Sequence, residues 1–201
     1  MVTVRRYGPA DLGTLYRICL ETGDSGEDAT HLYRDPLVLG HVFTAPYATL
    51  EPRLAFVTED DAGVSGYVLG AVDTAAFEER LEREWWPPLR GSYPDPDGAP
   101  ADGWSPDQRM AHTIHHPRRT PAELLREYPS HLHIDLLPRA QGRGLGGRLI
   151  RRFLDELREQ GSRGVYLGVG ARNIRAIGFY RHMGFEELSH DSHGLLFAMK
   201  L

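Results

Sequence analysis

Glycines at 142, 144, 146 and 147 sit in the run LLPRAQGRGLGGRLI, between an apolar stretch ended by Pro138 and an amphipathic one opened by Leu145. Glycine lets a backbone approach a ligand closely and adopts the left-handed conformations of tight turns. A helix start adds unpaired N–H groups and the positive end of the macrodipole. A strand entering such a loop and leaving as a helix is an anion site, most naturally for a phosphate or pyrophosphate, with Arg143 and Arg148 adding charge beside it. The nucleotide P-loop is excluded, because Gly147 is followed by Arg148 and Leu149 where a Lys and a Ser or Thr belong. Gly142, Gly144 and Gly147 satisfy the dinucleotide spacing G-x-G-x-x-G, but the next strand, GVYLGVGARN, ends without an acid for the ribose.

Just upstream, His131, His133 and Asp135 fall on one face of a strand by two-residue alternation, with Asp135 nearest the loop. Ten histidines invite a metal, yet no H-E-x-x-H occurs, and His115-His116 and His131-x-His133 lack a cysteine partner. They read as surface or packed histidines, and no metal is expected. Trp85, Trp86, Tyr93 and Trp104 flank a Gly-, Pro- and Asp-rich run, where they line a groove or anchor the run to the body. The helix from 148 to 158 interleaves arginines with Asp155, Glu156 and Glu159, the pattern of a solvated face.

Several elements must position these groups. Val2–Tyr7 reads as a strand, and Leu12, Leu15, Tyr16, Cys19 and Leu20 as a helix ending near Gly23. Short helices broken by Pro36 and Pro46 follow. RLAFVTED and GVSGYVLGAVD form a hairpin turning at Asp61–Gly63. A helix from Thr74 to about Trp86 is stopped by Pro87 and Pro88. Residues 91–108 have no apolar period and read as a long surface loop inside one domain spanning 1–201. TPAELLREY reads as a short helix capped by Thr120. The strand HLHIDLLP, a helix from Leu145 to about Gly161, the strand GVYLGV, the helix NIRAIGFYRHM and a hairpin of FEELSH with GLLFAMKL complete an α/β chain with a mixed sheet.

With 23 Lys and Arg against 28 Asp and Glu, the net charge is −5, a poor balance for general nucleic-acid binding and a mild bias toward cationic partners. The single cysteine, Cys19, excludes a disulfide framework, falls among core positions and fits a reducing cytoplasm. No segment is apolar for long enough to span a bilayer, and two arginines stand where a signal peptide needs apolar residues, so a cytoplasmic chain is expected.

Gln141-Gly142-Arg143-Gly144-Leu145-Gly146 resembles the Q/R-x-x-G-x-G/A signature of the GNAT acetyltransferase superfamily, and the segment from Asn173 through Phe179-Tyr180 to Gly184-Phe185 resembles its second half. TyrArgAspPro at 33–36, 50–54, 63–77 and 160–169 are similar to the acetyltransferase-like C-terminal domain of animal O-GlcNAcase, which suggests a stand-alone bacterial relative without the glycosidase. The animal domain is regarded as having lost its acetyl-CoA loop, whereas 141–146 is intact here. The resemblance implies a mostly antiparallel sheet of about seven strands with helices on both faces. It also implies acetyl-CoA as co-substrate, bound between splayed strands at 131–137 and 164–169, and direct acetyl transfer to a primary amine, on a small molecule or a protein lysine. The cofactor would be held by Gln141, Gly142, Arg143, Gly144, Leu145 and Gly146, by the backbone amides of Leu136 and Leu137, and by Asn173. Tyr180 would protonate the departing thiolate, a phenol of reference pKa about 10 being able to protonate a thiolate of about 8.5. Asp135, with His133 behind it, is the candidate base, although without a bulge Asp135 is expected to point away from the acetyl group. That weak base leaves a second expectation, a module that binds acetyl-CoA or a peptide without efficient turnover.

Overall fold

The computed structural model describes residues 2–97, 103–191 and 194–201. In chain order the elements are β1 (Thr3–Arg6), α1 (Leu12–Glu21), α2 (Val38–Phe43), α3 (Ala45–Leu50), β2 (Phe56–Asp60), β3 (Gly63–Ala71) and α4 (Thr74–Arg80). These are followed by α5 (Trp86–Ser92), α6 (Pro106–His115), α7 (Ala122–Glu127), β4 (Ser130–Leu136), α8 (Leu145–Glu159), β5 (Gly164–Gly170), α9 (Ile174–His182), β6 (Glu186–His190) and β7 (Gly194–Lys200). The strands form one seven-stranded sheet in the order β1-β2-β3-β4-β5-β7-β6. Every neighbouring pair is antiparallel except β4 and β5. The mixed, mostly antiparallel sheet expected from the sequence is what forms.

The one parallel contact decides where a ligand can enter. β4 and β5 pair only at Ser130↔Val165 and His131↔Tyr166, then diverge. On its other side β4 stays paired with β3 from His131↔Ala71 to Leu136↔Gly66, without a register shift. The sheet is therefore split beside the C-terminal half of β4.

Each face of the sheet carries its own apolar cluster. Leu149, Ile150, Phe153, Leu154 and Leu157 of α8 lie at helical spacing and bury one stripe against Phe56, Val68, Leu132 and Val165. α1 to α5 cover the opposite face around Tyr47, Tyr67, Leu69 and Phe77. No helix among the described residues is long and apolar enough to cross a membrane.

Four local expectations are corrected. Pro87 and Pro88 do not end helical structure: a wider π turn over Leu81–Trp85 carries α4 into α5, where a proline occupies the first turn and needs no N–H donor. The 91–108 stretch is not all loop. Ser105 Oγ accepts the Gln108 amide, Gln108 reaches back to the Ser105 amide, and this capping box starts α6; residues 98–102 lie outside the described residues. Thr120 does not cap α7, because its hydroxyl instead donates to Glu78 Oε1 at 2.7 Å and meets the Tyr166 hydroxyl at 2.9 Å. Glu156 is not on a solvated face but is fully buried.

Candidate active site

The glycine loop forms from the end of β4 outward. After Leu136 a single turn over Pro138–Ala140 leads to Gln141, and the chain passes Gly142 (φ +69°) and Gly144 (φ +74°) before α8 begins. Both angles lie in the left-handed region, where a side chain would be strained. The first amides of α8, at Leu145, Gly146 and Gly147, have no carbonyl one turn back to bond. A Cβ on Gly146 would stand 3.2 Å from the Phe179 ring, so that glycine lets α8 and α9 meet at the loop.

Gln141 fastens this loop to the split. Its Nε2 donates to the Leu136 carbonyl at 2.7 Å, and its Oε1 accepts from the Arg175 guanidinium. Asn173 caps α9 by accepting the Ala176 amide at 3.1 Å. A cavity of about 360 Å³ lies between these pieces. Asp135, Leu136, Gln141, Gly142, Gly144, Leu145, Gly146, Asn173 and Tyr180 all reach its wall, and Thr22, Gly26, Arg175 and Phe179 are among the other residues that line it. Of the residues named from the sequence, Leu137 and Arg143 do not line it: Leu137 is buried in the core, and Arg143 is exposed beside Arg139.

The two leucine amides separate. Leu137 N–H donates to the Ser65 carbonyl at 2.9 Å, so that donor is engaged within the sheet and the expectation for it is corrected. By antiparallel alternation the backbone groups of Ile134 and Leu136 face away from β3, toward the split. Leu136 therefore presents a donor to the cavity.

Asp135 occupies this wall without any bulge in β4. That position has a simple geometric cause. Once β5 has diverged, the gap opens to both faces of the sheet, and a residue of either face borders it. Tyr67, its register partner on β3, donates to Asp135 Oδ2 at 2.6 Å, and Thr44 bonds the same phenol at 3.1 Å. Burial pushes the Asp135 carboxyl up to about 6, against the opposing hydrogen bond of Tyr67. Tyr180 packs its ring on Phe179, Phe185 and Phe197, and its hydroxyl has no hydrogen-bond partner among the described residues. Burial, then the nearby Asp135 charge, raises its pKa and keeps the phenol protonated. Cys19 is a core thiol, pushed up to about 12 by burial and by Asp135.

Residues 41–185 match the family model described as the acetyltransferase (GNAT) family. The chain belongs to the GNAT family. A crystal structure of SsHAT superposes with a TM-score of 0.92 at 40% identity, covering 99% of this chain and 98% of that one. Protein O-GlcNAcase of Rattus norvegicus is 27% identical over 188 residues, which are 93% of this chain and 20% of the relative; the chain thus spans about a fifth of the length of that relative. A GCN5-like protein acetyltransferase of Mycobacterium tuberculosis is 32% identical over 126 residues, 61% of this chain and 60% of the relative. A putative acetyltransferase of Salmonella typhimurium, solved with its cofactor acetyl-CoA, shares the fold at a TM-score of 0.57 and 16% identity, covering 100% of this chain and 92% of that one.

This GNAT chain has a second cavity, of about 730 Å³, along the preceding half of β4. Its floor is His131, His133, Tyr47 and Tyr166. The Tyr47 hydroxyl meets His131 Nε2 at 2.9 Å and His133 Nε2 at 3.1 Å, and His131 Nδ1 meets Thr74 Oγ1 at 2.7 Å. Burial lowers His131 to about 3, with His133 adding to the effect, and lowers His133 to about 4. Both rings are therefore neutral at physiological pH, and His133 is a weaker base than Asp135. The four aromatics flanking the loop divide. Trp86 and Trp104 line the cavity, whereas Trp85 Nε1 donates to the His41 carbonyl at 2.9 Å and Tyr93 donates to Asp35 at 2.6 Å. Arg109, Arg118, Arg119, His112 and His116 stand around the cavity, with Glu78 in its wall and Asp95 against the two histidines, so among the described residues its rim carries more basic than acidic groups on an acidic chain.

Tyr67, Thr44, Thr22 and Arg175 are the site residues the sequence reading missed. Only Tyr67 had a signal, since pairing β3 with β4 puts it opposite Asp135.

Proposed function

We propose that this GNAT protein transfers the acetyl group of acetyl-CoA to a primary amine by direct attack. The reading rests above all on Asp135 and Tyr180 sharing the cavity walled by the glycine loop, with the Asp135 carboxyl raised toward neutral pH, as a base needs, and the Tyr180 phenol held protonated. The amides of the loop and the start of α8, from Gly142 to Gly146, would hold the diphosphate, with Arg143 adding charge from outside. The Leu136 amide would bond the acetyl carbonyl oxygen and strengthen that bond as the oxygen gains charge. An acceptor amine enters along the second cavity and loses its proton to Asp135. Its lone pair then forms a bond to the acetyl carbon, the carbon–sulfur bond breaks, Tyr180 gives its proton to the thiolate, and the second proton shed by the nitrogen restores the Tyr180 phenol, while the first passes from Asp135 to solvent. The products are an amide and free CoA.

The basic rim favours an acceptor that also carries a carboxylate or phosphate, over a lysine in a basic peptide. This reverses the bias suggested by the net charge alone, because local field outweighs a distant total at a screening length of about 8 Å. Thiol release from acetyl-CoA, followed across matched acidic and basic amines, tests the reading. We expect acidic amines to be preferred and Arg118→Glu to reduce that preference. Acetyl-CoA binding by calorimetry with no thiol release from any amine would defeat the transferase reading.

A further inference from the structure

His112 lies in the last turn of α6, and His116, four residues on, is the residue that caps the helix, its amide bonded to the His112 carbonyl. Their ring centroids are 4.3 Å apart. Asp95, three residues beyond the end of α5, comes back between them: Oδ2 is 2.6 Å from His116 Nε2, and Oδ1 is 3.4 Å from His112 Nδ1. One ligand atom from each residue lies within 4.8 Å of the other two.

We infer that Asp95, His112 and His116 bind one divalent transition-metal cation at the rim of the second cavity. Zinc holds imidazole nitrogens at about 2.0–2.1 Å and carboxylate oxygens at about 2.0–2.2 Å, so adjacent ligand atoms of a tetrahedron stand about 3.3–3.5 Å apart. Asp95 Oδ1 already stands at that distance from His112 Nδ1, and Asp95 Oδ2, 2.6 Å from His116 Nε2, must draw back by less than an ångström for the carboxylate to share a cation with both rings. A carboxylate on a segment outside any helix can swing that far. Two imidazoles and one carboxylate suit zinc, cobalt or nickel better than the hard cations, which prefer all-oxygen sites. Three protein ligands leave a fourth position open. His112 and His116 both line the cavity, and Trp104 lies against His112 with centroids 4.9 Å apart, so the cation sits on the cavity wall. Two neutral imidazoles and one carboxylate leave a net positive charge at the cation, which adds to the charge of Arg109, Arg118 and Arg119 on the same rim.

The separation in sequence hides this trio. The histidine pairs that catch the eye are His115-His116 and His131-x-His133, and neither is the pair involved. His115 Nε2 instead meets the Tyr93 carbonyl at 2.7 Å.

The full chain, stripped with chelator and titrated with Zn²⁺ in a calorimeter, is expected to take up one equivalent. Co²⁺ in its place is expected to give visible d–d absorption at the same stoichiometry. His116→Ala and Asp95→Asn, both at exposed positions, are expected to weaken Zn²⁺ binding by about tenfold or more. His190→Ala, an exposed histidine on β6, serves as the control and is expected to bind like the parent. No saturable Zn²⁺ binding by the parent would overturn the inference, as would equal affinity in both ligand variants or an equal loss in the His190 control. Since binding is the readout, these results stand apart from whether the protein turns over acetyl-CoA.

Discussion

Tyr67 and Asp135 face each other across the β3–β4 ladder, and the phenol donates to Asp135 Oδ2 at 2.6 Å. The donor sits in the core and stabilises only the charged form of the acid, so it opposes the burial that lifts the Asp135 pKa to about 6. Tyr67→Phe removes it and moves that pKa further up. A hydrogen bond to a charged group contributes roughly 1.5–3 kcal/mol, or about 1–2 pH units. If Asp135 is the base, the rising limb of kcat/KM with pH starts near 6 in the parent and shifts upward by about that much in the variant. A limb that stays in place would remove Asp135 from the proton pathway.

Tyr180 differs from Tyr67 in having a hydroxyl with no partner among the described residues, on the wall of the smaller cavity. Tyr180→Phe keeps the ring that packs on Phe179, Phe185 and Phe197. Acetyl-CoA affinity and thermal stability should hardly change, whereas kcat falls by about a hundredfold, the low end of general-acid contributions. Calorimetry and thiol release on the same preparation separate these effects. Unchanged turnover would assign the leaving-group proton to another donor.

Gly144 precedes α8 at φ +74°, with open space where a Cβ would stand. Alanine there meets no neighbour and suffers only the backbone conformation, about 1–2 kcal/mol. Gly144→Ala is expected to relieve that strain by turning the loop amides away from the diphosphate. Acetyl-CoA binding should then weaken by about tenfold while the melting temperature drops by only a few degrees. Equal affinity would mean the loop tolerates the side chain and does not grip through those amides.

The parts of the site that follow from local rules were legible in the sequence. Glycine spacing after a strand gave the loop, and two-residue alternation put His131, His133 and Asp135 on one face of β4. What was not legible depends on how elements meet. Asp135 borders the cavity because β5 leaves β4 after His131↔Tyr166; the family resemblance implies that the two strands splay, but no residue of β4 announces where the pairing stops. α6 was lost inside a Gly/Pro-rich run because composition outweighed the Ser105–Gln108 capping box. The double proline at 87–88 stops a helix that precedes it but equally starts one that follows, and tertiary packing of Trp86 selects the second outcome. The basic rim of the larger cavity collects α6 and the 116–119 segment against β4, a gathering that total charge conceals.

Glu156 shows the same dependence and offers a test of stability instead of catalysis. On α8 its neighbours Asp155 and Glu159 are exposed, yet its own side chain has 0% exposure. Burial alone would raise its pKa. The Arg6 hydrogen bond at 2.6 Å and the charges of Arg6, Arg152 and Arg53 outweigh burial and hold it below the ordinary value. Arg6 and Arg152 also lie over the Phe56 ring, so this one carboxylate ties α8 to β1 and β2. An acid whose folded pKa is lowered contributes stability above its unfolded pKa, about 4.3, and loses that contribution as pH falls through the folded value. Glu156→Gln keeps the shape and removes the charge, so it should cost about 1.5–3 kcal/mol at pH 7. The cost should shrink as both proteins are taken below about pH 4, where the parent carboxylate also takes up a proton. Denaturant melts of the pair at neutral and acid pH measure both quantities. A difference that does not narrow in acid would mean that packing, and not the ion cluster, is what Glu156 supplies.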